Sequence, residues 1–246
     1  MGVRLVAKGV DAESVATEYA APVRRGLEAV HFLNTSLTKA ARNFAPGKGQ
    51  SKVVGAPVPQ AAYLSCKGTV NLIETAMSET ESMTMFVIAR TAADGSVVAD
   101  RPMFLGNYQG QAGDGGAAYG VSIYLSALNR ITATAGYGSD AGTNTNILAG
   151  VTKPAVANLW GLYMIQVTPT AVVMRDFTNG LTQTTSASLP RRLATGKIRI
   201  GSGQTNLLGA CDVAAFQGHS VALTETEIQT TVADLRAYAA RRGITV

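Results

Sequence analysis

Cysteine, histidine and tryptophan are scarce: two, two and one in 246 residues. Cys66 and Cys211 are too few for a disulfide framework, and no Cys-x-x-Cys spacing exists for zinc. They read as two buried free thiols, or as one bridge if their strands are neighbours. Charge is scarce too, at 15% of residues. The net +5 comes from scattered Lys and Arg, with doublets at Arg24-Arg25, Arg191-Arg192 and Arg241-Arg242. No basic run alternates with aromatics, which argues against a nucleic-acid partner and for a solvated basic surface. No apolar run is long enough to cross a bilayer. The opening "MGVRLVAKGVDAESVATEYA" lacks the apolar centre of a secretory signal, so the expectation is a chain folded in a cytoplasm, with no membrane partner.

Catalytic patterns are equally thin. Gly-x-Ser-x-Gly is absent, which removes the usual signature of a serine hydrolase. "GSGQTNLLG" and "GNYQGQAG" are glycine-rich, but no helix follows to hold a phosphate. His31 falls in an alternating stretch and His219 in the loop before the last helical segment; each is isolated and reads as structural or solvated. Glycosidases need two carboxylates at a set separation. The nearest pair is Glu79 and Glu81 in "ETAMSETESM", which would share a face if extended. The segment instead reads as the loop before a strand at about Thr84–Ala89, so catalysis is not expected.

What is present is a long series of period-two stretches. "GLEAVHFLN", "SMTMFVIAR", "YGVSIYLS", "RITATAG", "LWGLYMIQV", "TAVVMRDF", "GKIRIGSG" and "DVAAFQG" read as strands. Val121, Ile123 and Leu125 share a face, as do Ile131, Ala133 and Ala135 against Thr132 and Thr134. "APGKGQ", "GQAGDGGAAYG", "GSDAGTNTN" and "FTNG" supply the turns. With 46% hydrophobic residues the chain can fill a core, and many short strands predict a sandwich or barrel.

One helix closes the chain. Thr224 caps it and Glu227 completes a capping box. Ile228, Val232, Leu235 and Ala239 form one apolar stripe, and Gly243 ends the element after residue 242. Such a stripe predicts that the helix, over 224–242, covers the sandwich. At the other end, "DAESVATEYAAP" predicts a short helix capped by Asp11, with Val15 and Tyr19 one turn apart. Residues 1–22 are therefore expected to be an arm outside the domain of residues 23–246, ordered by docking on another chain.

The segment "LWGLYMIQVTPTAVVMRDFTNG" resembles the laminin-G-like pattern, with Trp160 opening an apolar strand and Asn179-Gly180 turning a hairpin. "LLGACDVAAFQGHSVALTETEI" resembles that pattern's closing strand. The resemblance is to the concanavalin A-like jelly roll. It implies an all-β, two-sheet antiparallel sandwich with the helix as its terminal element. Taken as residues, Trp160 reads as core and Asp212 as a carboxylate that accepts backbone hydrogen bonds at a strand start. The ending "ALTETEIQTTVADLRAYAARRGI" resembles domains of tailed-bacteriophage structural proteins. That implies a non-enzymatic virion subunit, on the tail rather than the capsid. Its partners would be other virion proteins, further copies of itself (a trimer for preference) and a host surface glycan. A stand-alone lectin is the alternative, and a glycoside hydrolase a more remote one. The candidate glycan residues are Asn107, Tyr108 and Tyr137, beside glycines that let them stack and hydrogen-bond. Asp114, Asp140, Asn144 and Asn146 are candidate oxygen ligands for calcium, against the plainer reading that they form turns.

Overall fold

The computed structural model describes residues 16–154, 159–203 and 207–246. In chain order the first elements are β1 (Leu27–Phe32), α1 (Leu37–Ala41), β2 (Lys52–Val54), β3 (Val58–Pro59), β4 (Leu64–Lys67), β5 (Leu72–Glu74) and β6 (Met83–Arg90). There follow β7 (Met103–Gly106), β8 (Gly110–Gln111), β9 (Ala117–Ala118), β10 (Val121–Ala127), β11 (Arg130–Tyr137) and β12 (Thr145–Thr152). The last are β13 (Gly161–Thr168), β14 (Ala171–Asp176), β15 (Leu181–Ser186), β16 (Arg199–Ile200), β17 (Ala210–His219) and α2 (Glu225–Arg241). The described strands form two antiparallel sheets packed face to face. Sheet A runs β15-β14-β13-β6-β17-β4-β3, with β1 also on β17; sheet B runs β12-β11-β10-β7-β16-β5-β2. β8 and β9 make a separate small hairpin. The all-β sandwich expected from the alternation is the fold observed.

The two faces of sheet A explain why β6 and β13 are apolar along their whole length. Met83, Met85, Val87 and Ala89 of β6, with Tyr163, Ile165 and Val167 of β13, point between the sheets. Phe86, Ile88, Leu162 and Met164 point the other way. There they meet Ile228, Val232, Leu235, Tyr238 and Ala239 of α2. A strand buried on both faces loses its alternation, and the terminal helix is what buries the second face. α2 starts as its sequence requires: Thr224 Oγ1 accepts from the Glu227 N–H, and the Glu227 carboxylate accepts from the Thr224 N–H. Gly243, at φ +70°, ends it in the left-handed conformation that glycine adopts without a Cβ clash.

Four expectations are corrected. Residues 16–22 form no helix and pack on their own chain, while Asp11 and Val15 lie outside the described residues. The Tyr19 ring meets Phe32 edge-on with centroids 5.0 Å apart, and its hydroxyl donates to Asp234. Trp160 is half-buried. It and Tyr63 flank the Arg90 guanidinium, which lies 4.7 and 4.8 Å from the two ring centroids. Asp212 accepts from Arg90 Nε (2.9 Å) and Ser65 Oγ (2.7 Å), so its partners are side chains rather than backbone. His219 ends β17 instead of lying in the following loop. Cys66 and Cys211 face each other across β4 and β17, so their strands are neighbours, yet both are free and buried. Burial pushes the Cys66 thiol up to about 12 and Cys211 well above the ordinary range.

Candidate functional site

Sheet B has no counterpart of α2 on its outer face among the described residues. Alternation decides what that face carries. Val121, Ile123 and Leu125 of β10 go inward, as do Ile131, Ala133 and Ala135 of β11. Ser122, Tyr124, Thr132 and Thr134 therefore go outward, followed on β12 by Asn146 and Leu148. The register seats Tyr124 opposite Thr132 and Ser122 opposite Thr134.

A loop from Asn107 to Gly120 brings two more tyrosines onto this face. Tyr108 lies 6.0 Å from Tyr124 and 6.1 Å from Tyr119, centroid to centroid, with ring planes tilted by 29° and 33°. Tyr108 and Tyr119 are half-buried; Tyr124 is buried beneath them. Burial raises the Tyr108 phenol and pushes Tyr124 up to about 12, each with help from a neighbouring tyrosine. Tyr108 and Tyr124 are therefore neutral at physiological pH and able to donate or accept. A polar row runs alongside, in which Ser122, Thr132 and Thr134 are buried and Ser126 and Asn146 are half-buried. Asn146 Nδ2 approaches the Tyr108 hydroxyl at 3.4 Å, and Thr134 Oγ1 bonds Asn146 Oδ1 and the Ile147 carbonyl. Ser126 and Thr132 hydroxyls pair at 2.6 Å. Ser122 Oγ is buried with no partner among the described residues. Leu148, 46% exposed, borders the row.

The tyrosine loop is held from below by a buried carboxylate. Glu79 Oε1 pairs with Arg191 Nη2, and Oε2 accepts from the Ala194 N–H (2.9 Å) and Asn107 Nδ2 (3.1 Å). Burial raises the Glu79 carboxyl, opposed by the Arg191 charge beside it. Asn107 Oδ1 in turn accepts from the Val121 N–H at 2.8 Å. Gly120, at φ +64°, passes so close that a Cβ there would lie 2.4 Å from Asn107 Oδ1. Arg192 fastens the β8–β9 hairpin, donating to the Ala117 carbonyl (2.8 Å) and both Asp114 oxygens (2.8 and 3.0 Å).

The residues singled out from the sequence thus divide. Tyr108 and Asn146 meet on the outer face of sheet B, both half-buried. Asn107 is fully buried and anchors the loop instead of reaching solvent. Tyr137 points into the core, its hydroxyl donating to the Thr168 (2.8 Å) and Ala171 (3.0 Å) carbonyls and its ring under Arg191. Neither can stack on a sugar. The calcium set does not assemble. Asp114 is committed to Arg192; Asp140 accepts from the Thr143 N–H (2.9 Å) and closes its own turn; Asn144 is half-buried in that loop; Asn146 faces Tyr108. Among the described residues no three His, Cys, Asp or Glu side chains cluster as a metal site. Glu79 is sealed in its ion pair while Glu81 is exposed, so the two do not form a catalytic pair. His31 and His219 are both fully buried. Tyr119 and Tyr124 were missed; the alternation of "VSIYLS" could have placed Tyr124 outward, opposite the inward Ile123.

No family model matches the chain, and no curated protein matches it. Solved structures do. The receptor binding domain of botulinum neurotoxin C/D mosaic serotype superposes with a TM-score of 0.62 at 8% identity, over 89% of this chain and 52% of that one. The same domain of botulinum neurotoxin D gives 0.61 at 8% identity, over 89% and 53%. The binding domain of botulinum neurotoxin DC in complex with SialylT gives 0.60 at 11% identity, over 86% and 52%. The chain has the β-sandwich fold of these domains. It spans about half the length of the structures it matches.

Proposed function

We propose that this chain is a non-enzymatic binding subunit that takes a saccharide on the outer face of sheet B. The observation that carries the reading is the cluster of Tyr119, Tyr108 and Tyr124 beside Asn146, which the buried Thr134 hydroxyl holds from below. Tyrosine faces suit the C–H faces of a pyranose, and neutral hydroxyls and amides suit its hydroxyl groups. Tyr108 and Tyr119 provide the accessible rings, and Tyr124 backs them. Asn146 orients the Tyr108 hydroxyl and offers its own amide. Glu79, Arg191 and Asn107 hold the loop from beneath and touch no ligand.

The fold neighbours support a binding role: they are receptor binding domains, one of them in complex with SialylT. The closing segment's resemblance to tailed-phage domains supports a virion setting, on the tail rather than the capsid, with a host surface glycan as ligand and other virion proteins as neighbours. A glycan array probed with the full chain tests the saccharide reading. Binding to a defined set of glycans, lost in Tyr108→Ala, supports it. A blank array, or signal that the Tyr108→Ala chain keeps, counts against it. Imaging of labelled antibody on phage particles tests the setting separately.

A further inference from the structure

The two rims of the sandwich are built differently. At one rim the edge strands are β2 and β3, three and two residues long, and they carry Lys52 and Pro59. Short length, lysine and proline are the devices that stop a sheet edge from pairing with another chain. At the opposite rim the edges are β15 and β12, six and eight residues long. Both keep a continuous register with their inner neighbours, with no bulge. Residues 177–190 and 141–152, which contain these strands, carry no charged side chain and only one proline, Pro190, beyond the end of β15. Among the described residues, β15 and β12 themselves carry none of the usual blocking devices; Lys153 and Pro154 follow the end of β12, beside Thr178 and Asn179.

The ladder fixes which groups of β15 are free. The Ala187 N–H donates to the Thr170 carbonyl at 2.7 Å. Counting back in the β14–β15 register, residues 185, 183 and 181 also bond inward, opposite Val172, Met174 and Asp176. Thr182, Thr184 and Ser186 therefore turn both their N–H and C=O groups outward. Gln183 Nε2 donates to the Thr184 carbonyl at 2.9 Å, a stand-in that an incoming N–H would displace. Thr185 Oγ1 donates to the Leu148 carbonyl at 2.8 Å, so the two open edges are stitched side by side.

We infer that this rim is the surface on which two copies of the chain join, β15 pairing antiparallel with β15 of the second copy about a twofold axis. A second copy fits because an uncharged strand meets its own image with no like-charge contact. The chain otherwise carries a net +5, which opposes self-association elsewhere. Threonine and serine side chains brought opposite one another across an antiparallel pair are favourable cross-strand partners. Joining at β15 continues sheet A across the axis and brings the β12 edges of the two copies alongside. The inference is independent of the saccharide reading.

Light scattering of the full chain tests it. The expected mass is twice 25.5 kDa. Thr184→Pro removes one outward N–H and no bond to β14, so it is expected to halve the mass with the circular dichroism unchanged. The pair Thr182→Lys and Thr184→Lys is expected to do the same by placing like charges across the axis, and stands in if the proline variant misfolds. A chain lacking residues 1–15 is expected to keep the doubled mass. A monomeric wild type, a trimer, an assembly that survives both edge variants, or one lost on removing residues 1–15 overturns the inference.

Discussion

The Tyr19 hydroxyl reaches both carboxylate oxygens of Asp234, at 2.7 and 2.8 Å, and so ties the start of the described chain to its last helix. Tyr19 is thus part of the layer that covers sheet A, together with Phe32 and Tyr238, whose rings stack at 4.6 Å. Tyr19→Phe leaves a half-buried carboxylate without its donor, and a cost of about 1–3 kcal/mol is expected. Deleting residues 1–22 is expected to lower the melting temperature further, because Ala21 is buried as well. Calorimetry of both variants checks this. An unchanged melt would restore the picture of an arm outside the domain.

The terminal helix is expected to be indispensable. Leu235→Ala removes a side chain packed against sheet A, at a cost of about 2–5 kcal/mol. Gln229→Ala, on the exposed side, is expected to stay within about 0.5 kcal/mol. Removing residues 224–246 bares the Phe86, Ile88, Leu162 and Met164 face, and insoluble protein is the expected result. Urea titration of the point variants, and the soluble yield of the truncation, give the answer.

Glu79 and Arg191 are expected to matter through burial, since their side chains are 0% and 1% exposed. Glu79→Ala leaves an uncompensated guanidinium in the interior, at a cost of about 3–5 kcal/mol. It also frees Asn107, so amide exchange across residues 107–120 is expected to quicken more than in β6 or β13. Exchange that speeds up uniformly would show that Glu79 supports the whole sandwich and not this loop.

Acid is expected to destabilise the chain through its histidines. His31 Nδ1–H donates to the Ala40 carbonyl and Nε2 accepts from Ser51, which holds the neutral form. Burial depresses its pKa to about 4, from 6.5 in the unfolded chain. The folded state therefore binds fewer protons than the unfolded one between those values. The stabilisation is complete above pH 6.5 and is lost as pH falls towards 4, a total of about 3 kcal/mol. His219, lowered mainly by burial, adds in the same direction. His31→Gln is expected to flatten the stability profile between pH 7 and pH 4 in a urea series run at each pH. A profile as steep as wild type would assign the acid sensitivity elsewhere.

How much of this was legible in the sequence follows from where each signal resides. Inward Ile123 and Ile131 against outward Thr132 and Thr134 are local facts of alternation, and they gave the sheets. The capping box at Thr224 is local too. β15 was missed because a solvent-exposed edge strand needs no apolar face, and "LTQTTS" has almost none. α1 was missed because five residues are too few to show a helical period. Asn107 and Tyr137 look like loop residues beside glycines. Their burial is decided by Glu79 and Arg191, which lie 28 and 54 positions away and are brought in only by the packing of the sheets. Tyr19 likewise looked like part of a free helix, because its partner Asp234 is 215 residues distant.

The central claim is that the Tyr108, Tyr119 and Tyr124 surface binds a saccharide. Calorimetric titration of the full chain with an oligosaccharide selected on the array tests it most directly. Tyr108→Ala is expected to weaken binding about tenfold or more, a loss of about 1.4 kcal/mol, while Trp160→Ala, on a different surface, leaves it unchanged. Heat of binding that persists in Tyr108→Ala, or that vanishes in Trp160→Ala instead, would contradict the account.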